Sequence, residues 1–202
     1  GEACLPVELR LPGTYNIYNS LAAATVALVA GVTAPTVVGS IRAYTAAFGR
    51  IERVRASGRE LVLALVKNPV GFNQVIRMIT SGDSGGVNES APLYLAIVIN
   101  DLHADGTDIS WLWDVDFELL VGRVGVAITS GTRAADMALR LKYAGLDAST
   151  IVEIDDAATA LSEALRRTPE GGTCYVLPTY TAMLALHSRL AAQGLSVPFW
   201  ED

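Results

Sequence analysis

From about residue 60 to residue 194, short apolar runs alternate with segments of helical periodicity. That alternation restricts the fold more than any other feature of the chain. The runs at 93–99 and 124–129 are rich in β-branched residues and carry no regular polar alternation, the signature of strands buried on both faces of a parallel sheet. Shorter runs of the same kind fall at 60–66, 151–153 and 174–177. Between them, 69–80, 132–145, 155–165 and 179–192 place apolar residues at helical spacing, with Pro69 at a first turn and Gly145 and Gly194 as stops. Thr132 is expected to cap one of these helices, and Asp155 or Asp156 another. Strand–helix alternation of this kind implies βαβ units with right-handed crossovers. The expected fold is therefore α/β, a mostly parallel, Rossmann-like doubly wound sheet with flanking helices.

The first quarter differs. Residues 16–29 and 36–48 predict two helices, punctuated by Gly31 and Pro35, and two helices alone cannot bury both their faces. The segment 1–48 is therefore expected to be the last part of a preceding domain, or a lead-in packed on the domain at 49–202. A hairpin is expected where 51–57 and 60–66 meet at Gly58-Arg59.

Residues 100–118 carry the densest chemistry. Asp101, Asp105, Asp108, Asp114, Asp116 and Glu118 lie close together, with His103, Trp111 and Trp113 interleaved, directly after the buried run at 93–99. Open parallel sheets bind ligands beyond the carboxyl ends of their strands, so a reactive group is expected here. A solvated loop whose carboxylates cap helices explains the same residues. A second pair of clusters is informative jointly. Asn16 and Asn19 sit at a helix start, where capping is the plain explanation. Lys67 and Asn68 precede Pro69 at a strand-to-helix junction, where backbone N–H groups favour anions.

Composition narrows the function. A net charge of −6 and a pI near 4.9 argue against a nucleic-acid footprint. Cys4 and Cys174 have no CxxC spacing, so neither a disulfide framework nor a zinc site is indicated, and a reducing cytoplasm fits. No apolar run has the length of a transmembrane span. The Gly-Glu-Ala-Cys start resembles no signal peptide, and the missing initiator Met suggests a piece of a longer protein. Gly82-Asp-Ser-Gly-Gly86 spells a serine-protease nucleophile loop, but His103 and His187 have no fitting context and the pattern is α/β. A calcium loop from Asp101 fails because Leu112 stands where a bidentate Glu is needed. No GxxxxGK[ST] phosphate loop and no GxGxxG following a strand occur.

Five stretches together resemble the Mur ligase superfamily and, within it, the MurT-like synthetase subunits. They are Leu11-Pro-Gly-Thr-Tyr-Asn-Ile-Tyr-Asn-Ser-Leu-Ala-Ala23 with Phe48-Gly-Arg-Ile-Glu-Arg-Val54, Val66-Lys-Asn-Pro-Val-Gly-Phe-Asn73, the acidic stretch 100–118, and Thr129-Ser-Gly-Thr-Arg-Ala134. The resemblance implies that 1–48 ends a central ATP-binding domain and that 49–202 is a MurT-type C-terminal domain. It implies an ATP-dependent amide ligase that acts with a glutaminase subunit of the GatD type. Ammonia from that partner would convert the α-carboxylate of D-glutamate in the lipid II stem peptide to D-isoglutamine. By the same resemblance Asp108 is catalytic, and Asn16, Asn19, Arg50, Lys67 and Asn68 bind ATP. Mg²⁺ would be held mainly by other domains, and zinc by a cysteine-rich insertion absent from these residues. Ala64 stands where Mur ligases carry a ribose-binding acid, which departs from the pattern. With no phosphate loop, the chain alone is expected to be inactive. A non-catalytic docking domain is the alternative.

Overall fold

The computed structural model describes residues 4–44, 50–81 and 91–195, with the Arg50 side chain outside that set. Strand β3, Leu93–Val98, lies near the middle of a six-stranded sheet of order β1-β2-β6-β3-β4-β5. The others are β1 (Arg50–Ala56), β2 (Arg59–Ala64), β4 (Val124–Ser130), β5 (Ile151–Glu153) and β6 (Thr173–Pro178). Every pairing is parallel except β1 with β2, an antiparallel hairpin at one edge. The helices are α1 (Thr14–Val29), α2 (Ala34–Ala43), α3 (Pro69–Thr80), α4 (Ala134–Tyr143), α5 (Ala157–Arg167) and α6 (Tyr180–Ala192).

Successive residues of β3 point to opposite faces, and both faces are covered. Leu95 and Ile97 join Phe72, Ile76 and Ile79 of α3 and Met137 and Leu141 of α4. Ala96 and Val98 join Ala160 and Ala164 of α5 and Met183 and Leu186 of α6. Hence the unbroken apolar run: neither face meets water. The expected doubly wound α/β sheet is the fold observed. None of the described helices is long and apolar enough to cross a membrane.

Three local expectations are corrected. Helix α2 stops at Ala43 because Tyr44 is extended at φ −68°, ψ 130°; the rest of the expected span, to Phe48, lies outside the described residues. The hairpin turns at Ser57-Gly58, both with positive φ (51° and 73°), the pair of conformations a two-residue turn needs to match strand twist. Thr132 does not cap α4: Arg133 holds the N-cap position, with no side-chain cap. Its hydroxyl instead donates to Asp101. Asp156, rather than Asp155, caps α5 by accepting from the Thr159 N–H. The Gly82–Gly86 motif lies outside the described residues.

Candidate functional site

Two separate hollows open on the side of the sheet where its parallel strands end. The larger, about 710 Å³, lies between the helical lead-in and the β1–β2 edge. Asn16, Asn19, Ser20 and Ala23 of α1 form one wall; Ile51, Ala64, Leu65 and the α3 residues Val70, Gly71 and Gln74 form the other. Asn16 is buried, and its Nδ2 donates to the Pro12 carbonyl at 2.7 Å, so it does not cap the helix, whose preceding residue is Gly13. Asn19 is exposed on the same wall.

Asn68 caps α3: its Oδ1 accepts from the Gly71 N–H at 2.8 Å, with Pro69 in the first turn. Lys67 is exposed beside it and does not line the hollow. Arg50 is the first residue of β1. Its neighbour Ile51 has φ 61° at an irregularity in the β1–β2 register, a rare conformation for a β-branched residue, and lines the hollow. Ala64 lines it too. Among the described residues the lining offers three side-chain amides and apolar surface but no lysine or arginine. It suits a nucleoside rather than a triphosphate.

The acidic stretch shapes the other hollow. Most of its carboxylates hold the loop in place. Asp105 accepts from the Thr181 N–H at 2.7 Å and hydroxyl at 2.6 Å, binding the loop to the start of α6. Asp101 accepts from Thr132 and from the Arg133 guanidinium. The Thr132 hydroxyl first, and Arg133 with it, hold that carboxyl below its usual range against the opposing effect of burial. Asp116 meets Arg77 at 2.8 Å, and its N–H donates to Asn73. Glu118 meets Arg140 at 2.9 Å. Between these anchors, the Asn100 N–H donates to Thr179 and its amide nitrogen to Thr181, while its Oδ1 accepts from the Thr132 N–H.

Beyond the ends of the parallel strands β6 and β3 the chain leaves toward opposite faces of the sheet, and a doubly wound fold usually binds its ligand in a crevice of this kind. Here the protein's own polar side chains bridge it. Gly131, at φ 91°, belongs to this closure: a Cβ there would meet the Ile99 carbonyl oxygen at 2.5 Å.

Asp108 stands apart from the anchors. It is exposed, and its Oδ1 accepts from the Ser110 N–H at 2.8 Å, opening a 3₁₀ helix over Ser110–Asp114. That backbone N–H holds the carboxyl below its usual range. With Trp113, Arg133, Asp136 and Leu139 it lines a hollow of about 360 Å³ that shares no residue with the first. The fold thus gathers Asn16 and Asn19 at one hollow, with the Asn68 cap at its edge, and sets Asp108 at another. Among the described residues no group of three or more His, Cys, Asp or Glu could hold a metal ion. His187 is buried against Glu52 at 3.1 Å.

The MurT ligase C-terminal family matches residues 65–183, more than half of the chain. The chain belongs to that family. Two MurT proteins, each named as a subunit of lipid II isoglutaminyl synthase (glutamine-hydrolyzing), are similar along nearly all of it. The Streptococcus pneumoniae protein is 35% identical over 191 residues, which cover 93% of this chain and 40% of that protein. A Staphylococcus aureus protein is 32% identical over 185 residues, covering 91% and 40%. The chain therefore spans about two fifths of these relatives' length. Two solved structures share the fold. A pseudomurein peptide ligase type C from Methanothermus fervidus has TM-score 0.65 at 15% identity, covering 93% of this chain and 37% of that one. MurF from Acinetobacter baumannii has TM-score 0.64 at 17% identity, covering 93% and 39%.

In this MurT ligase C-terminal domain, periodicity passed over Arg140, the most enclosed cation near the acidic loop. It lies on α4 three residues after Met137 and directly before Leu141. A charge on the apolar stripe was the available signal, because a buried arginine must be paired.

Proposed function

We propose that this chain is the C-terminal part of an ATP-dependent amide ligase subunit. It would amidate the D-glutamate α-carboxylate of the lipid II stem peptide with ammonia supplied by a GatD-type glutaminase. Its similarity to two MurT proteins over more than nine tenths of the chain carries the proposal. On this reading residues 1–48 close the central nucleotide-binding domain and 49–202 form the C-terminal domain. The larger hollow takes the nucleoside end of ATP against Asn16 and Asn19. Arg50, Lys67 and Asn68 serve the same nucleotide from the hinge and the start of α3. ATP supplies the phosphoryl group that activates the carboxylate. Its phosphates, Mg²⁺ and the zinc of the larger subunit are assigned to other domains, because the residues here offer no phosphate cradle.

Asp108 is the reacting carboxylate on this reading. It can accept the proton that leaves the incoming nitrogen, or orient a histidine of the glutaminase. An exposed carboxyl is already an anion at neutral pH, and the Ser110 N–H lowers its range further, so either role meets Asp108 as the carboxylate.

The test is Asp108→Asn in the full-length subunit together with its glutaminase. Glutamine-driven amidation is expected to fall by roughly 10²–10⁴-fold, with the circular dichroism spectrum and melting temperature unchanged. Recovery with free ammonia assigns Asp108 to the glutaminase reaction; no recovery assigns it to the synthetase. Near-normal activity would sink the catalytic reading. Trp113, 54% exposed and edge-on to Tyr143 at 5.8 Å, favours a second reading as a docking domain. In that case Trp113→Ala, not Asp108→Asn, separates the two subunits in size-exclusion chromatography.

A further inference from the structure

Arg140 is 4% exposed, yet its guanidinium serves four acceptors on the acidic loop. Nε donates to the Leu112 carbonyl at 3.1 Å and Nη2 to the Val115 carbonyl at 2.7 Å. Nη2 also reaches both oxygens of Glu118, at 2.9 and 3.3 Å. Its guanidinium carbon lies 5.4 Å from the Trp113 ring centre and 5.2 Å from that of Phe117. Phe117 packs edge-on against Phe72 of the core at 4.9 Å. An arginine so enclosed is in one orientation, fixed by the sheet through α4.

What it holds is the 3₁₀ helix Ser110–Asp114. Five residues with 3₁₀ geometry do not persist unaided, so the helix depends on what binds its two ends. Asp108 accepts from Ser110 at the first end. Arg140 takes the Leu112 and Val115 carbonyls at the last. Trp113, with its ring beneath the same guanidinium, lines the hollow into which Asp108 opens. One buried fork therefore sets both the helix that carries Asp108's hydrogen bond and the indole beside it.

We propose that Arg140 is the positioning residue for Asp108. It touches no reactant. It fixes the direction of the carboxylate, and through Trp113 the shape of the hollow around it. This rests on the reading of Asp108 as the reacting carboxylate. Lysine retains the charge but not the fork, so it cannot hold two carbonyls in one plane.

The experiment uses the full-length subunit with its glutaminase and compares Arg140→Lys, Asp108→Asn and the double variant. Arg140→Lys is expected to lower kcat for glutamine-driven amidation roughly tenfold or more, as small displacements of a catalytic group do. KM values for glutamine and ATP should stay unchanged, and hydrogen exchange at the Ser110 amide should accelerate while β3 remains protected. The double variant should be no slower than Asp108→Asn alone, since residues acting as one unit are not additive. A merely structural arginine gives the opposite results, with added losses in the double variant or a global fall in protection, and either overturns the inference. Full activity of Arg140→Lys beside an impaired Asp108→Asn overturns it alone; near-normal Asp108→Asn overturns the functional reading and this inference with it. Should Arg140→Lys fail to fold, the measurement passes to Glu118→Gln, which loosens the outer hold on the guanidinium. The same non-additivity with Asp108→Asn is then expected, and full activity overturns the inference.

Discussion

Single side chains in this domain separate by what surrounds them rather than by type. Asp101, Asp105 and Asp108 fall within eight residues, yet the first two are tied to Arg133 and Thr181 while Asp108 accepts one backbone N–H and faces a hollow. The two cysteines divide the same way. Cys4 is exposed; Cys174 is buried in β6, where burial pushes its thiol up to about 12. Only the thiolate reacts with alkylating reagents, so native protein at neutral pH should take up one label, at Cys4. Cys174 should react only after denaturant is added. Mass-spectrometric counting of adducts checks this, and rapid double labelling of the native chain would contradict the enclosure of β6.

At the scale of elements, the chain fastens its loops to helix starts and its helix ends to arginines. Helix α5 begins at Asp156 and ends beside Glu163, whose oxygens accept from Arg166 and Arg167 at 2.6–2.7 Å. The Arg166 contact first, then Arg167, lowers the Glu163 carboxyl from an ordinary 4.5 to about 2. A folded pKa below the unfolded one stabilises the fold above the unfolded value, and that stabilisation disappears as pH falls through the folded value. Wild type should therefore melt above Glu163→Gln at neutral pH, with the difference shrinking below about pH 4.5 and gone near pH 2. Because the group is at the surface, the difference should be small and should weaken further with salt. A difference that grows in acid would contradict the arrangement.

For the whole molecule, the two hollows lie on opposite flanks of the closed crevice between β6 and β3. A ligand in the larger one meets the helical lead-in as well as the sheet edge. Among the described residues its lining holds no cation, and the sequence has no GxxxxGK[ST] phosphate loop. Calorimetric titration of the 202-residue chain with ATP and magnesium should accordingly show weak binding or none. Low-micromolar affinity would mean that the phosphates are held by residues other than those assigned here.

The sheet was legible from sequence because its cause is local. A parallel strand covered on both faces must be apolar throughout, and 93–99 and 124–129 are; helices between them must show a 3.6-residue period, and they do. The turn at Ser57-Gly58 and the early end of α2 were not, since backbone conformations at Ser57 and Tyr44 leave little mark on composition. Sequence also supplied the dense acidic stretch as a unit, but six carboxylates in a row carry no mark of which are bound. That division was made by tertiary contacts arriving from far along the chain: Thr181 to Asp105, Arg133 to Asp101, Arg140 to Glu118. Hydrogen-bond partners 22 to 76 residues away are invisible to any local pattern. Only the packed sheet, by bringing the starts of α4 and α6 to the end of β3, decided that Asp108 would be the carboxylate left facing a hollow.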